Sequence, residues 1–219
     1  MASNGLRHVV EQLSSKDRKI RERAAETLGK YAEGEIVDEN ALEPLIKLLD
    51  DKHHRVRRTA AYALGRYAEQ GLAKESALDK LVALMQDKNI SVRQNATFAL
   101  LMYSYQKLMD RRALQFLIKM LEGSDYLASG EAAYTLAKYA EKGLVDESAL
   151  KPLTKLLESK DQLARANAAY ALAKYAEKGL VNPLAVKVLV KLLEDKDYRV
   201  RENTTMAINE YLKNGITIK

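Results

Sequence analysis

The stretch LLDDKHHRVRRTAAYALGRYA, residues 48–68, carries most of a motif that recurs along the whole chain. Its apolar opening returns every 36 residues, and no insertion disturbs the spacing. The six copies are VVEQLSSK (9–16), LIKLLDDK (45–52), LVALMQDK (81–88), LIKMLEGS (117–124), LTKLLESK (153–160) and LVKLLEDK (189–196). A fixed period of this length is typical of repeat architectures, in which each unit stacks on its neighbours.

Each repeat is predicted to fold as helix, turn and helix. In ENALEPLIKLLDD (39–51) the apolar residues recur at spacings of three and four, which is the helical period. The second segment, VRRTAAYALGRYAEQ (56–70), has a helical pattern that ends before Gly71. Pro44 and Pro152 lie inside the first helical pattern, so the sequence leaves open whether that helix is split.

Capping residues mark the helix ends in several repeats. Asp38 is expected to cap a first helix, and a glycine in the left-handed conformation is expected after second helices at Gly71, Gly143 and Gly179. Second helices are expected to start after Asp17, Asn89, Asp125, Asp161 and Asp197.

The repeats predict one all-α domain that covers the chain. A single helical pair cannot bury its apolar faces alone, but a stack of pairs can. We therefore expect a single solenoid domain over residues 1–219. Its repeats are expected at about 9–44, 45–80, 81–116, 117–152, 153–188 and 189–219.

Composition excludes several classes of protein. The chain of 219 residues is 47% hydrophobic and 30% charged, so it is not disordered as a whole. It has no cysteine, no long apolar run and no signal-like start, which favours a cytoplasmic protein without disulfides. A net charge of +6 is compatible with an acidic partner but does not require nucleic acid.

The motif, read as LLxDKDxxVRxxAAYALGKYA, resembles the HEAT and armadillo superfamily of helical repeats. The HEAT resemblance lies in an aspartate followed four residues later by an arginine, as in Asp17 and Arg21. In HEAT proteins such residues form a ladder between repeats. Here His53 and Asn89 replace the aspartate and Ser129 replaces the arginine, so we expect an interrupted ladder.

The resemblance implies a right-handed α-solenoid, a superhelix of six 36-residue repeats whose second helices line a concave groove. In armadillo proteins a tryptophan and an asparagine of this helix bind an extended peptide. Tyr62, Phe98, Tyr134 and Tyr170 match that tryptophan. The position where the asparagine is expected holds Arg66, Met102, Lys138 and Lys174. This departure favours an acidic or phosphorylated segment.

The helical period separates two rows of aromatic residues on the second helices. Tyr170 and Tyr175 point about 140° apart, because successive residues turn by about 100°. Tyr175 shares the apolar arc of its helix, and its row is expected to pack between repeats. This core row consists of Tyr31, Tyr67, Tyr103, Tyr139, Tyr175 and Tyr211.

The Tyr170 row faces away from that arc and is the candidate ligand-binding surface. Aromatic faces can hold side chains, amides can bond a peptide backbone, and cations can pair with acids. The candidate residues are Tyr62, Arg66, Asn95, Phe98, Tyr134, Lys138, Asn167, Tyr170, Lys174 and Asn203, with a basic end at Arg55 and Arg58. Alternatively, the rings cover neighbouring helices and Lys174 pairs with Glu177, three residues later.

The sequence shows no catalytic constellation. His8 stands alone, His53 and His54 lie in a turn, and no phosphate-binding loop or nucleophile motif is present. We therefore expect no catalytic residue, no metal site and no cofactor. The first hypothesis is a non-enzymatic scaffold that binds a protein or peptide, expected to be an acidic or extended segment, in the concave groove. The alternatives are nucleic-acid binding through the basic N-terminal repeats and a regularised scaffold with no natural ligand.

Overall fold

All regular structure in the described residues is helical, as the sequence predicts. The computed structural model describes residues 2–123 and 126–217, with side chains from residue 6 onward. The chain divides into two compact units, Met1–Asp110 and Arg111–Lys219. The all-α fold class is thereby confirmed, while the single domain and its repeat boundaries stay predictions.

The two units have the same order of elements. The N-terminal unit contains α1 (Ala2–Gln12), α2 (Arg18–Glu33), α3 (Leu42–Leu48), α4 (His54–Glu69), α5 (Leu78–Leu84) and α6 (Ile90–Tyr105). The C-terminal unit contains α7 (Arg111–Leu121), α8 (Tyr126–Glu141), α9 (Leu150–Leu156), α10 (Gln162–Ala176), α11 (Val186–Leu192) and α12 (Tyr198–Lys213). In each unit the long, even-numbered second helices pack on one another in sequence order, and each first helix packs on the second helix of its own pair.

Most first helices are split, which answers the question that the prolines raised. A 3₁₀ turn precedes each of α3, α5, α9 and α11 at Glu39–Ala41, Glu75–Ala77, Glu147–Ala149 and Pro183–Ala185. Pro44 and Pro152 are each the third residue of the α-helix that follows. A proline in the first turn removes no hydrogen bond within its own helix, so both are accommodated.

The structure confirms the predicted caps that lie within the described residues. Asp38 accepts from the backbone N–H of Asn40 at 2.9 Å. The side chains of the second-helix caps Asp17, Asn89, Asp161 and Asp197 each accept a hydrogen bond from a backbone N–H of the following turn. Asp125 lies outside the described residues.

The left-handed position after the second helices is not always glycine. Gly71, Gly143 and Gly179 have φ angles of 80°, 85° and 77°, as expected. Glu35 and Lys107 occupy the same place in their repeats and have φ of 62°. The backbone therefore has nearly the same conformation at all these positions. Because a side chain in this conformation is strained, Glu35 and Lys107 are expected to lower the stability of the fold relative to glycine.

Five of the six tyrosines of the core row are fully buried: Tyr67, Tyr103, Tyr139, Tyr175 and Tyr211. The hydroxyl of Tyr67 accepts from the backbone N–H of Asp38 at 3.4 Å, in the linker 29 residues earlier. Burial raises the pKa of Tyr67 to about 12, although the Asp38 N–H opposes part of the shift.

The prediction is wrong for Tyr31, which is 42% exposed. The residue 29 positions before it is Ala2, which lies in α1 rather than in an extended linker. Tyr31 therefore lacks the linker that covers Tyr67.

Arginines on the second helices join successive repeats through aspartates that the sequence did not single out. Arg21 bonds Asp51 at 2.7 Å through Nε. In the same way Arg57 bonds Asp87 at 2.7 Å, and Arg165 bonds Asp195 at 2.9 and 3.0 Å. We call these three pairs the arginine ladder.

The expected partners of the ladder were wrong. Asp17 and Asp161, four residues before Arg21 and Arg165, accept backbone N–H groups as helix caps instead. The aspartate that an arginine reaches lies 30 residues later in the chain, in the next repeat.

Candidate functional site

The candidate aromatic residues lie in stacked pairs, one pair in each unit. Tyr62 of α4 and Phe98 of α6 have ring centroids 6.2 Å apart and an interplanar angle of 28°. Tyr134 of α8 and Tyr170 of α10 are 5.9 Å apart at 26°. All four side chains are half-buried, so each ring presents part of its surface to solvent. This placement follows from the 36-residue spacing, which sets equivalent residues of adjacent second helices side by side.

A cation lies against each ring pair. The guanidinium carbon of Arg66 is 5.3 Å from the centroid of Tyr62 and 5.0 Å from that of Phe98. Lys138 Nζ is 5.3 Å from the centroid of Tyr134 and 5.4 Å from that of Tyr170. These distances are within the range of cation–π attraction. We call Tyr62, Arg66 and Phe98 the N-terminal cluster, and Tyr134, Lys138 and Tyr170 the C-terminal cluster.

Glutamates complete the N-terminal cluster. The hydroxyl of Tyr62 donates to Glu33, 29 residues earlier on α2. Glu33 also pairs with Arg66 at 3.3 Å, and Glu69 pairs with Arg66 at 2.8 Å. Both carboxylates were absent from the expected site.

The C-terminal cluster repeats this arrangement. The hydroxyl of Tyr170 donates to Glu141, and Lys138 donates to Glu141 at 3.1 Å and to the Tyr170 hydroxyl at 3.2 Å. Burial opposes the charge of Lys138, but the hydrogen bonds to Glu141 and Tyr170 outweigh it and raise its pKa above the ordinary value. The ring, the cation and the carboxylate are therefore held as one network.

Lys174 extends the C-terminal cluster. Its Nζ lies 5.5 Å from the Tyr170 centroid and 2.6 Å from Glu177. The alternative expectation that Lys174 pairs with Glu177 is thereby confirmed.

Each cation of the two clusters is paired with a carboxylate, and the carboxylates are more exposed to solvent than the cations they neutralise. Glu33 and Glu69 are 44% and 45% exposed, against 28% for Arg66. Glu141 is 28% exposed, against 15% for Lys138. Neither cluster therefore offers surplus positive charge to a ligand.

The candidate asparagines join adjacent second helices. Asn95 Nδ2 donates to the carbonyl of Arg58 at 3.1 Å, and Asn167 Nδ2 donates to the carbonyl of Gly130 at 3.0 Å. Asn203 makes the equivalent bond to Ala166 at 3.0 Å. We call these bonds the amide bridges.

Sequence reasoning missed a second set of side-chain amide bonds near the other end of these helices. There Gln106 donates to the carbonyl of Ala68, and Asn214 donates to that of Ala176. Their shared offset of 38 residues is the signal that could have identified them.

Glycines make room for the rings of the N-terminal cluster. A Cβ on Gly29 would lie 2.7 Å from the Tyr62 ring, and one on Gly65 would lie 2.6 Å from the Phe98 ring. These contacts are shorter than real Cβ contacts, so the rings lie directly against the preceding helix backbone.

The basic end of the candidate surface lies on α4. Arg55 is exposed in its first turn, and Arg58 is half-buried with Glu22 as its nearest carboxylate at 4.0 Å. Arg58 lines a depression of about 380 Å³ in the N-terminal unit.

No group of metal-binding side chains occurs within residues 2–123 and 126–217. Over the same described ranges, every helix is too short or too polar to cross a membrane.

Comparison with known proteins identifies the repeat type. A family model described as HEAT repeats matches residues 6–101 and 114–209. A search of curated proteins gave no match.

Solved structures with similar folds include proteins made by design. The chain is similar to an engineered protein at 28% identity and a TM-score of 0.80, covering 94% of this chain and 97% of that one. It is similar to a computationally designed armadillo repeat protein for modular peptide recognition at 28% identity and 0.76, covering 94% and 99%. It is also similar to a designed armadillo repeat protein in complex with the peptide (KR)4, at 26% identity and 0.79 with the same coverage.

The fold is therefore an armadillo-like helical repeat scaffold, and the family match covers most of the sequence. The chain belongs to the HEAT repeat family.

Proposed function

We propose that this chain is a non-catalytic scaffold that binds an extended protein or peptide segment on the aromatic face of its second helices. The observation that carries this proposal is the pair of stacked, half-exposed ring clusters, at equivalent places in the two units. The fold similarity to a protein designed for modular peptide recognition supports it.

The clusters are suited to binding because their side chains are already fixed. Tyr62 and Tyr170 each have a hydroxyl bonded to a glutamate and a ring face against a cation. A surface that is ordered before binding loses little side-chain entropy when a ligand arrives. The exposed ring surface then accepts apolar groups or the aliphatic stems of longer side chains.

The asparagines can contribute a second kind of contact. Each amide bridge uses one N–H of Asn95, Asn167 or Asn203. An amide has two N–H donors and a carbonyl oxygen, so capacity remains for the backbone of a bound segment.

The charge preference of the ligand depends on which cations are free. An acidic preference is expected from Arg66, Lys138 and Lys174, but the structure pairs each of them with a carboxylate. We therefore propose that any preference for an acidic segment comes from the basic end, Arg55 and Arg58. Since a similar designed protein binds the basic peptide (KR)4, both signs of charge belong in the test.

The test is a selection of linear peptides from a random library, followed by affinity measurement for the enriched sequences. Two double variants remove the rings, Tyr62→Ala with Phe98→Ala and Tyr134→Ala with Tyr170→Ala. The matched control is Tyr198→Ala, which removes an exposed tyrosine of α12 outside both clusters.

We expect enriched peptides to bind at least one double variant about 30-fold more weakly, because buried aromatic contacts in interfaces are worth about 2 kcal/mol. The control should leave the affinity unchanged, and circular dichroism should show the same helicity for all variants. The proposal is wrong if no peptide is enriched, or if both double variants bind the enriched peptides as tightly as the control does.

A further inference from the structure

A depression in the N-terminal unit adjoins the N-terminal cluster and shares Tyr62 with it, but the rest of its lining is charged or polar. It has a volume of about 380 Å³ and lies between α2, α4 and α6. Its lining includes Glu26, Lys30, Arg58, Tyr62, Ser91 and Asn95. Glu26 and Lys30 on its α2 side pair with each other at 2.9 Å, so their charges offset one another.

Arg58 has hydrogen-bonding capacity that the protein does not use. Its terminal nitrogen is 4.0 Å from Glu22, beyond hydrogen-bond distance, and its guanidinium makes no hydrogen bond within the described residues. Arg66, two turns later on the same helix, bonds Glu69 at 2.8 Å. Arg57, its neighbour in sequence, is held by Asp87 at 2.7 Å.

The backbone that carries Arg58 is fixed in place. Asn95 donates to the carbonyl of Arg58, so this part of α4 is tied to α6. The side chain is 39% exposed and reaches into the depression. An anion that enters the depression would therefore meet a guanidinium carried by a backbone that is already ordered.

Two nearby groups add to the donor set. Ser91 lies in the first turn of α6, where its backbone N–H bonds Asn89. Its hydroxyl lines the depression and can donate a hydrogen bond to an oxygen anion. Arg55 lies one turn before Arg58 and is exposed, so it adds positive charge at the same end of α4.

The C-terminal unit has no counterpart of this donor set in its sequence. The positions equivalent to Arg58 are Gly130, Ala166 and Glu202, none of which is a cation. Those equivalent to Arg55 are Leu127, Leu163 and Arg199, so only the last repeat keeps an arginine there, and it keeps no partner at the Arg58 position. The chemistry of the depression is thus particular to the N-terminal unit.

We infer that this depression binds an anionic side chain of the ligand, a carboxylate or a phosphate, with Arg58 as its main partner and Ser91 as a second donor. A planar guanidinium can bond two oxygens of such a group at once, which is stronger than a contact with a point charge. The inference rests on the proposed function, because it assigns one subsite of the proposed peptide-binding face.

The experiment titrates two small probes, capped phosphoserine and capped glutamate, into the full ¹⁵N-labelled chain. The readouts are the Arg58 Nε signal and the backbone signals of Ser91 and Asn95. Arg58→Gln removes the guanidinium, and glutamine already occupies the equivalent position as Gln94 in the next repeat. The charge-matched control is Arg7→Gln, which removes an exposed cation of α1 that pairs with Glu11.

We expect saturable shifts at these residues for at least one probe, and an affinity that falls about tenfold in Arg58→Gln because a charge-assisted bond is lost. Arg7→Gln should change the affinity by less than about twofold, as expected for a distant surface charge. Saturation at Arg58 by phosphoserine alone assigns a phosphate subsite, whereas similar affinities for both probes assign a general anion subsite. The inference is overturned if no probe saturates, or if the two variants weaken binding equally.

The small probes keep this result separate from the proposed function. Probe binding at Arg58 without any peptide enrichment would support the anion site and contradict the peptide scaffold. Peptide enrichment that depends on the rings, without probe binding, would support the scaffold and overturn the anion site.

Discussion

Replacing Asp195 by asparagine tests the energetic role of the arginine ladder. Arg165 donates to both carboxylate oxygens of Asp195, at 2.9 and 3.0 Å. The Arg165 and Asp195 side chains are only 17% and 9% exposed, so water competes little with the ion pair and could not make up for its loss in a variant. An asparagine keeps the shape but places an amide N–H₂ against one of the two guanidinium donors.

The expected loss is about 2 kcal/mol of unfolding free energy. Removing one partner of a fully buried ion pair costs about 3–5 kcal/mol. The loss is smaller here because Arg165 also donates to the carbonyls of Ser159 and Lys160, which keep it partly satisfied. Urea unfolding followed by circular dichroism, with hydrogen exchange of α10 and α12 as the local readout, measures the change.

A double-mutant cycle isolates the pair. The variants are Asp195→Asn, Arg165→Gln and the double substitution, and we expect a coupling energy above about 1 kcal/mol. The control is Asp50→Asn, which breaks an exposed pair with Lys80 and should cost less than about 0.5 kcal/mol.

The same pair predicts a pH dependence. Its hydrogen bond to Arg165 holds the pKa of Asp195 below its ordinary value. A depressed carboxyl pKa adds stability above the unfolded pKa of about 4, and that stability is lost as the pH falls through the folded pKa. The difference in unfolding free energy between wild type and Asp195→Asn should therefore be constant near pH 7, narrow below about pH 4, and close once the pH is below the folded pKa. A coupling energy near zero, or a difference that does not narrow as the pH falls below about 4, would refute the reasoning.

Four further substitutions test three local features. Asn167→Ala removes the bridge to the Gly130 carbonyl and should cost about 1 kcal/mol in urea unfolding; an unchanged midpoint would contradict a structural role for the bridge. Glu35→Gly should raise the unfolding free energy by about 0.5 kcal/mol by relieving a left-handed side chain, whereas Gly71→Glu should lower it by about 1 kcal/mol; equal melting temperatures for the two variants would argue against strain at this position. Burial raises the pKa of Tyr67 to about 12, so the contribution of the neutral phenol to the unfolding free energy is complete below about pH 10 and is lost towards about pH 12. Tyr67→Phe should therefore lose less stability than wild type between about pH 10 and pH 12. Parallel pH profiles for the two proteins would exclude this role.

The repeat and its helices could be predicted because the signals are local. Apolar spacing, the caps Asp38 and Asp161, and the terminal Gly143 all act within a few residues of where they are read. The split of the first helix was left open, since the effect of Pro44 depends on how the preceding turn is wound.

The chemistry of the candidate site was less predictable because its contacts cross between repeats. The aromatic row was identified from the helical period, but Glu33 and Glu141 were missed. Each lies 29 residues before the tyrosine it bonds, on a neighbouring helix. Reading Lys138 as a free cation followed from this omission. Glu141 lies three residues after Lys138 on the same helix, so this pairing could have been predicted from the sequence in the same way as that of Lys174 with Glu177.

The Asp–Arg pairing failed for a related reason. Asp17 is four residues before Arg21, a spacing compatible with a pair on one helix. The start of α2 uses that carboxylate as a cap, which leaves Arg21 to reach Asp51. Two local roles competed for one side chain, and the sequence alone does not rank them.

The fixed offset of the arginine ladder has a consequence for changing the length of the protein. Each pair joins an arginine to an aspartate 30 residues later, so the repeat at 45–80 carries both the acceptor for its predecessor, Asp51, and the donor for its successor, Arg57. A tandem duplication of residues 45–80 would place a new Asp51 within reach of the original Arg57, while the new Arg57 would reach Asp87. The inserted repeat would thus carry both the aspartate and the arginine that its two new boundaries require. The protein could therefore be lengthened by one repeat without changing the residues that join neighbouring repeats.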